Sequence, residues 1–210
     1  MSQDHTLLIK DSLKYSVTKI IPGVTGLIAI IVFIRMIGAE EYGKYSIQLS
    51  FLMAYSAFIV GWLNQSTLRY YSKYKNDQKL PQIFLIGLVF SLLLGSLILV
   101  ISSLVIVNNQ KFPLSSIGLT LFLALCSFQF LSALLRSQLR PNTIIMVTVL
   151  QSLLGIALPL LLLWVLGLNH KYLLLGLAGS YIALPLVLLT INIYLSKICW
   201  PITSGGWYHH

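Results

Sequence analysis

The sequence has 210 residues, of which 57% are hydrophobic and only 9% charged, with a mean hydropathy of +0.87. A water-soluble domain of this size needs far more polar surface, so the composition excludes one and places the chain in a membrane. A formal net charge of +9 would suggest a nucleic-acid partner in a soluble protein. Here the cations cluster between apolar runs, where they orient the chain in a bilayer, and no nucleic-acid partner is expected.

The segment Met1 to Lys19 is polar and mixed in charge. Leu13 and Val17 share one side while Lys10, Asp11 and Lys14 lie on others, the pattern of an interfacial lead-in helix over residues 1–19. No small-x-small cleavage site follows the first apolar run, which is therefore read as a retained helix. That run, Ile20 to Gly38, is about one bilayer thickness long at 1.5 Å per residue. Pro22 and Gly23 weaken its ladder and predict an interruption and a kink at its start. Arg35 lies within a turn of its exit, from which the guanidinium can reach headgroups or a wet cavity. Gly38 suits a helix end in the left-handed conformation.

The second helix is predicted over Tyr45 to Leu68. Gln48, Ser50, Ser56, Asn64 and Gln65 along it suggest a face turned to protein or water. The third, Ile83 to Val107, carries Gly87, Ser91 and Gly95 at four-residue spacing, a stripe that lets a neighbouring helix approach closely. The fourth, Leu114 to Leu135, has Gln129 well inside its apolar zone. The fifth, Ile144 to Leu166, contains Gln151 and Pro159, and the sixth, Tyr172 to Leu195, contains Pro185 and Asn192. Proline inside a span is tolerated where neighbours or water satisfy the freed carbonyl. Residues 20–196 thus form the transmembrane unit, and 197–210 a short irregular tail.

With the N-terminus in the cytoplasm, Lys10, Lys14, Lys19, Arg69, Lys73, Lys75, Lys79, Arg136, Arg140 and Lys197 share that side, leaving Arg35, Lys44, Lys111 and Lys171 opposite. This bias predicts both termini in the cytoplasm. Cys126 and Cys199 have no metal-ligand or redox spacing and read as small buried hydrophobes. No His-Glu-x-x-His, Gly-x-Ser-x-Gly or phosphate-cradling loop occurs, and all five carboxylates, Asp4, Asp11, Glu40, Glu41 and Asp77, lie outside the predicted spans. No catalytic residue, metal site or cofactor is expected, and the chain is not read as an enzyme.

The segment Arg35-x-x-Gly38, Glu40-Glu41, Tyr42-Gly43-x-Tyr45-Ser46 carries a resemblance. It is similar to the first hairpin of the polysaccharide-export and O-antigen flippase family, part of the superfamily that includes the multidrug and toxic-compound extruders. Leu68-Arg69-Tyr70-Tyr71-Ser72-Lys73 resembles the Arg-Tyr-Tyr segment of those proteins before their first cytoplasmic loop. The similarity covers roughly residues 8 to 195, most strongly in the first 75.

The resemblance implies an all-α integral membrane fold, a six-helix bundle like one lobe of a multidrug-extruder-type flippase. Such proteins usually carry about twelve or more spans in two lobes that rock around a cationic cavity. The chain is therefore expected to be one lobe, as a truncated reading frame or a fragment. The implied activity is translocation of a polyprenyl-diphosphate-linked oligosaccharide across a bacterial inner membrane. Membrane lipids, a second lobe and glycan-assembly proteins are the implied partners. A multidrug extruder lobe and a non-transporting scaffold of glycan assembly are the alternatives; the first would be expected to use an acidic residue within its spans.

Candidate substrate-binding residues are Arg35, Arg69, Gln48, Asn64 and Gln129. Arg35 either faces the cavity and holds a diphosphate bidentately or snorkels to the outer headgroups, and Arg69 has the same two roles on the inner side. Gln48, Gln129, Gln151 and Asn192 either line a polar path for sugars or make interhelical hydrogen bonds.

Overall fold

A computed structural model describes residues 2–71, 73, 80–106, 116–137 and 141–199. Six helices make up this set: α1 (Ser2–Ile37), α2 (Ala39–Tyr70), α3 (Leu80–Ile106), α4 (Ser116–Ser137), α5 (Pro141–Leu166) and α6 (His170–Cys199). Ile20–Ile37, Ala39–Tyr70, Gln82–Ser102, Ser116–Ser137 and Thr143–Leu166 are each long and apolar enough to cross a bilayer. α6 has 30 residues, sufficient length for a sixth crossing; its side chains from 186 onward, Asn192 included, lie outside the described residues. The all-α membrane bundle expected from composition is what the chain forms.

α1 departs from expectation at its start. It runs unbroken through Pro22, so the interruption expected at Pro22 and Gly23 is absent from the helix. A proline removes a single backbone donor, and in apolar surroundings keeping the remaining ladder outweighs that loss. One turn on, Thr25 Oγ1 donates to Ile21 O at 2.8 Å and to Pro22 O at 3.2 Å, so its proton is used within the helix.

Gly38 reverses the chain between α1 and α2 almost alone. Its φ is positive as expected, +83°, but its ψ of 162° lies outside the left-handed helical well, in a region open essentially to glycine. Its N–H still reaches Ile34 O at 3.0 Å, and its carbonyl takes the Tyr42 N–H at 3.1 Å, so no backbone group is orphaned. Gly167, at φ +113°, performs the same reversal between α5 and α6, and Asn169 Oδ1 accepts the Lys171 N–H at 3.0 Å as α6 begins.

α4 and α6 occupy the centre. α2 packs on α4, α5 on α6, and α1 mainly on α5, while α3 sits at the edge against α2 and α4. Phe122, Leu121 and Cys126 of α4, Val60 of α2, Leu163 of α5 and Leu173 of α6 are fully buried between these layers. Cys126 is the buried hydrophobe expected. α3 turns Ile86, Phe90, Leu93 and Leu97 outward as an apolar face suited to lipid. Its small stripe faces inward: a Cβ on Gly95 would stand 2.6 Å from Phe122 Cζ and 3.0 Å from Ile59 Cγ2, and Gly95 O accepts the Tyr55 hydroxyl at 2.9 Å.

The tightest approach joins α5 to α6. A Cβ on Gly176 would lie 2.5 Å from Pro159 Cα and 2.6 Å from Pro159 N, backbone that cannot swing aside. Three residues on, a Cβ on Gly179 would meet only Leu158 Cδ1 at 3.8 Å, an ordinary contact. Gly176→Ala should therefore destabilise the bundle by about 1 to 3 kcal/mol, while Gly179→Ala stays near wild type in thermal unfolding in detergent. Equal midpoints for the two variants would refute this account of the crossing.

Candidate functional site

A groove of about 550 Å³ runs between α1 on one side and α2, α4, α5 and α6 on the other. Each wall is a helical stripe. α5 contributes Thr148, Gln151, Ser152 and Gly155, spaced i, i+3, i+4 and i+7, so its polar residues share one face. α4 contributes Phe128, Ser132 and Arg136, four residues apart. α1 lines the opposite wall from Pro22 to Phe33, about 17 Å of helix at 1.5 Å per residue.

The two ends differ in charge. Arg136 stands in the last turn of α4, at the end of the bundle where α5 begins. Tyr42 and Tyr45 line the groove near the Gly38 turn, at the other end. There the rings of Phe33 and Tyr45 meet edge to face at 6.3 Å, and those of Tyr42 and Tyr45 lie 5.6 Å apart. Tyr181 of α6 packs edge-on against Phe128 at 5.1 Å, deeper in.

Two hydroxyls of the middle have their protons committed elsewhere. Thr148 Oγ1 donates to Ile144 O at 2.8 Å and Ser152 Oγ to Thr148 O at 2.8 Å, the usual back-bonding of hydroxyls in membrane helices. Gln151, with 9% of its surface exposed, donates its Nε2–H to Ser180 Oγ at 3.1 Å. Ser180 Oγ in turn donates to Leu177 O at 2.7 Å. Because that hydroxyl proton is spent, Ser180 can only accept from Gln151, which fixes the amide orientation. Gln151 Oε1 is then left buried without a partner among the described residues.

An ionic clamp closes the turn end. α2 has 32 residues, about 48 Å of helix against roughly 30 Å of hydrocarbon, so its first turn projects beyond the membrane-spanning segment. There Glu41 Oε2 meets His170 Nδ1 at 2.5 Å, while Glu41 Oε1 pairs with Lys44 Nζ at 2.7 Å. Lys44 also reaches Glu40 at 3.0 Å. The contact ties the start of α2 to the start of α6 at the turn end of the bundle. Hydrogen bonding from Lys44, and after it from His170, holds the Glu41 carboxyl down at about 2.

None of the five candidate residues from the sequence lines this groove. Arg35 is exposed in the last turn of α1. Arg69 is exposed in the last turn of α2, its guanidinium 5.6 Å from the Tyr70 ring centroid. Gln48 and Asn64 are half-buried, and Asn64 Oδ1 has no partner among the described residues. Gln129 donates to Ser56 Oγ at 2.8 Å, an interhelical bond between α4 and α2. Of the glutamines read as a polar path, Gln151 is the one on the groove wall. Arg136, Tyr45 and Tyr181 were not singled out as site residues; the signal that could have found them was the spacing of polar and aromatic residues at three and four along α4, α5 and α6.

Residues 8–206 match the family described as polysaccharide biosynthesis protein. The chain belongs to that family. With its long apolar helices, this makes it a multi-pass membrane protein of polysaccharide biosynthesis. No curated protein and no solved structure matches it. The match takes in the whole groove of this polysaccharide biosynthesis protein, from Pro22 on α1 to Tyr181 on α6.

The clamp makes the family member's stability pH-dependent with a defined sign. Glu41 has a folded pKa of about 2, below its ordinary 4.5, so its contribution is present above 4.5 and is lost as pH falls through that interval. Glu41→Gln should lower the unfolding midpoint at neutral pH, and its difference from wild type should shrink as pH drops from 4.5 toward 2. A difference that does not vary with pH would remove the clamp from the account.

Proposed function

We propose that the chain is one lobe of a flippase that moves a polyprenyl-diphosphate-linked oligosaccharide across a bacterial inner membrane. The observation that carries this reading is the groove itself: long, walled by five helices, cationic at one end and polar along its middle. Family membership supports a role in polysaccharide biosynthesis, and the groove gives that role a place for an amphiphile with a charged head.

Each part of such a lipid finds a matching surface. The diphosphate meets Arg136, whose planar fork binds phosphate oxygens bidentately. Glu40 and Glu41 are engaged with Lys44 and His170 at the other end, away from the guanidinium. The polyprenyl tail stays among acyl chains beside the exposed apolar flank of α1, which includes Leu27, Ile28 and Ile31. By the positive-inside bias, the Arg136 end faces the cytoplasm, where the head group would enter.

Translocation by rocking requires a second lobe, supplied by more of the same polypeptide, a second copy or another protein. The cavity then opens to one side at a time while the site stays fixed near the lobe interface. The clamp at the turn end lies where such a cavity would close on the outside.

Two measurements test the reading. Reconstituted in nanodiscs, the chain should bind a polyprenyl diphosphate disaccharide saturably, and Arg136→Gln should weaken that binding by about tenfold, the scale of a lost hydrogen-bonded charge contact. Wild type without saturable binding, or an Arg136→Gln variant that binds equally well, would sink the reading. Reporter fusions after Lys75 and after Lys111 should report opposite sides of the membrane; the same side for both would break the orientation.

A further inference from the structure

We propose that the middle of the groove is a subsite for the uncharged, hydroxyl-bearing part of the ligand, and that Gln151 is the residue that selects it. This rests on reading the groove as a head-group site and divides that site in two: charge at Arg136, hydroxyls at α5.

The division follows from where protons already are. Thr148, Ser152 and Thr25 all line the groove, and all three hydroxyls donate to backbone carbonyls of their own helices. Each keeps only lone pairs for a ligand. Gln151 adds an amide oxygen held in place by the Ser180 bond and left without a partner. These residues, three on α5 and Thr25 on α1, therefore offer lone pairs to the groove, and the hydroxyls of Ser132 and Tyr181 line it beside them. None of them is a cation, and Arg136 is the one charged side chain among the described lining residues, so a carboxylate held in the middle would lose its hydration without a counter-ion. A neutral sugar ring supplies O–H donors to these acceptors without that cost.

Burial sharpens the selection. A nine-tenths-buried amide oxygen without a hydrogen bond is costly, and a ligand that supplies the missing donor recovers that cost in binding. Tyr181 lies beside Gln151 on the same wall, and its ring, with that of Phe128, offers an apolar face against which a sugar can lie flat.

The test compares three lipids on the chain in nanodiscs: a bare polyprenyl diphosphate, the same carrier with one neutral hexose, and the same carrier with a hexuronate. Wild type should bind the hexose lipid about tenfold more tightly than the bare lipid, and the uronate lipid more weakly than the hexose lipid. Gln151→Leu should abolish the hexose gain, and Thr148→Val, which removes one hydroxyl and keeps the shape, should reduce it. Both variants should elute as wild type does on size exclusion in detergent, which shows that they are folded. No hexose gain in wild type, a gain that survives both substitutions, or equal affinity for hexose and uronate lipids would overturn the subsite while leaving Arg136 as the phosphate anchor. No binding of the bare lipid by wild type would bring down the head-group reading, and the subsite with it.

Discussion

Inside a bilayer no water is present to satisfy a polar atom, so every donor and acceptor must find its partner within the protein. That constraint produces the helices, and it also decides what the side chains do. Thr25, Thr148 and Ser152 spend their protons on carbonyls one turn back. Gln129 and Gln151 each donate to a serine on another helix, Ser56 and Ser180. The same device appears twice, and in both cases the serine's own proton goes to a backbone carbonyl of its helix. Against this background, Gln151 Oε1 is one of the buried atoms, with Asn64 Oδ1 and Ser91 Oγ, left without a partner among the described residues, and of the three it is the one on the groove wall.

The groove exists because α1 is held apart from the centre of the bundle without being released from it. α1 packs along α5, and a single residue, Gly38, connects it to α2. The Gly38 turn is in turn tied to the start of α6 by Glu41 and His170. Close contact is concentrated elsewhere, at Gly95 against Phe122 and at Gly176 against Pro159. The tightly packed α2, α4, α5 and α6 form one rigid wall, and α1 forms the other. Along the lining of the space between them, Arg136 at one end is the charged side chain and Tyr42 and Tyr45 stand at the other. An amphiphile with one anionic group has a preferred direction in such a field.

Much of the fold was legible in the residues. Six helices follow from apolar runs of membrane length, and Gly38 stands where the chain must turn back. Helix ends were less legible: α2 extends from Ala39 to Tyr70, beyond the apolar run from Tyr45 to Leu68, because Glu40, Glu41 and Lys44 continue the ladder into the headgroup region. Pro22 looked like a break and is only a missing donor. Of the candidate site, glutamine at position 151 could be noticed, but its partner Ser180 is far along the chain, and nothing local distinguishes a glutamine with a free oxygen from one that is fully satisfied. Gln129 looked equivalent in sequence and joins α4 to α2.

By itself the sequence determined the solvent, the secondary structure, the short turns and the family resemblance, since each depends on local composition and spacing along a rod. Which rods touch, and therefore which faces enclose a cavity, was decided only by tertiary packing. Arg35 and Arg136 both end apolar helices and look alike as residues. Both are exposed, but only Arg136 lines the groove, because the α1 stripe that lines it runs from Pro22 to Phe33 and stops short of Arg35, while α4 carries Arg136 one turn beyond Ser132 on its lining face. A cation's role depends on the low-dielectric walls around it, and those walls come from helices distant in sequence.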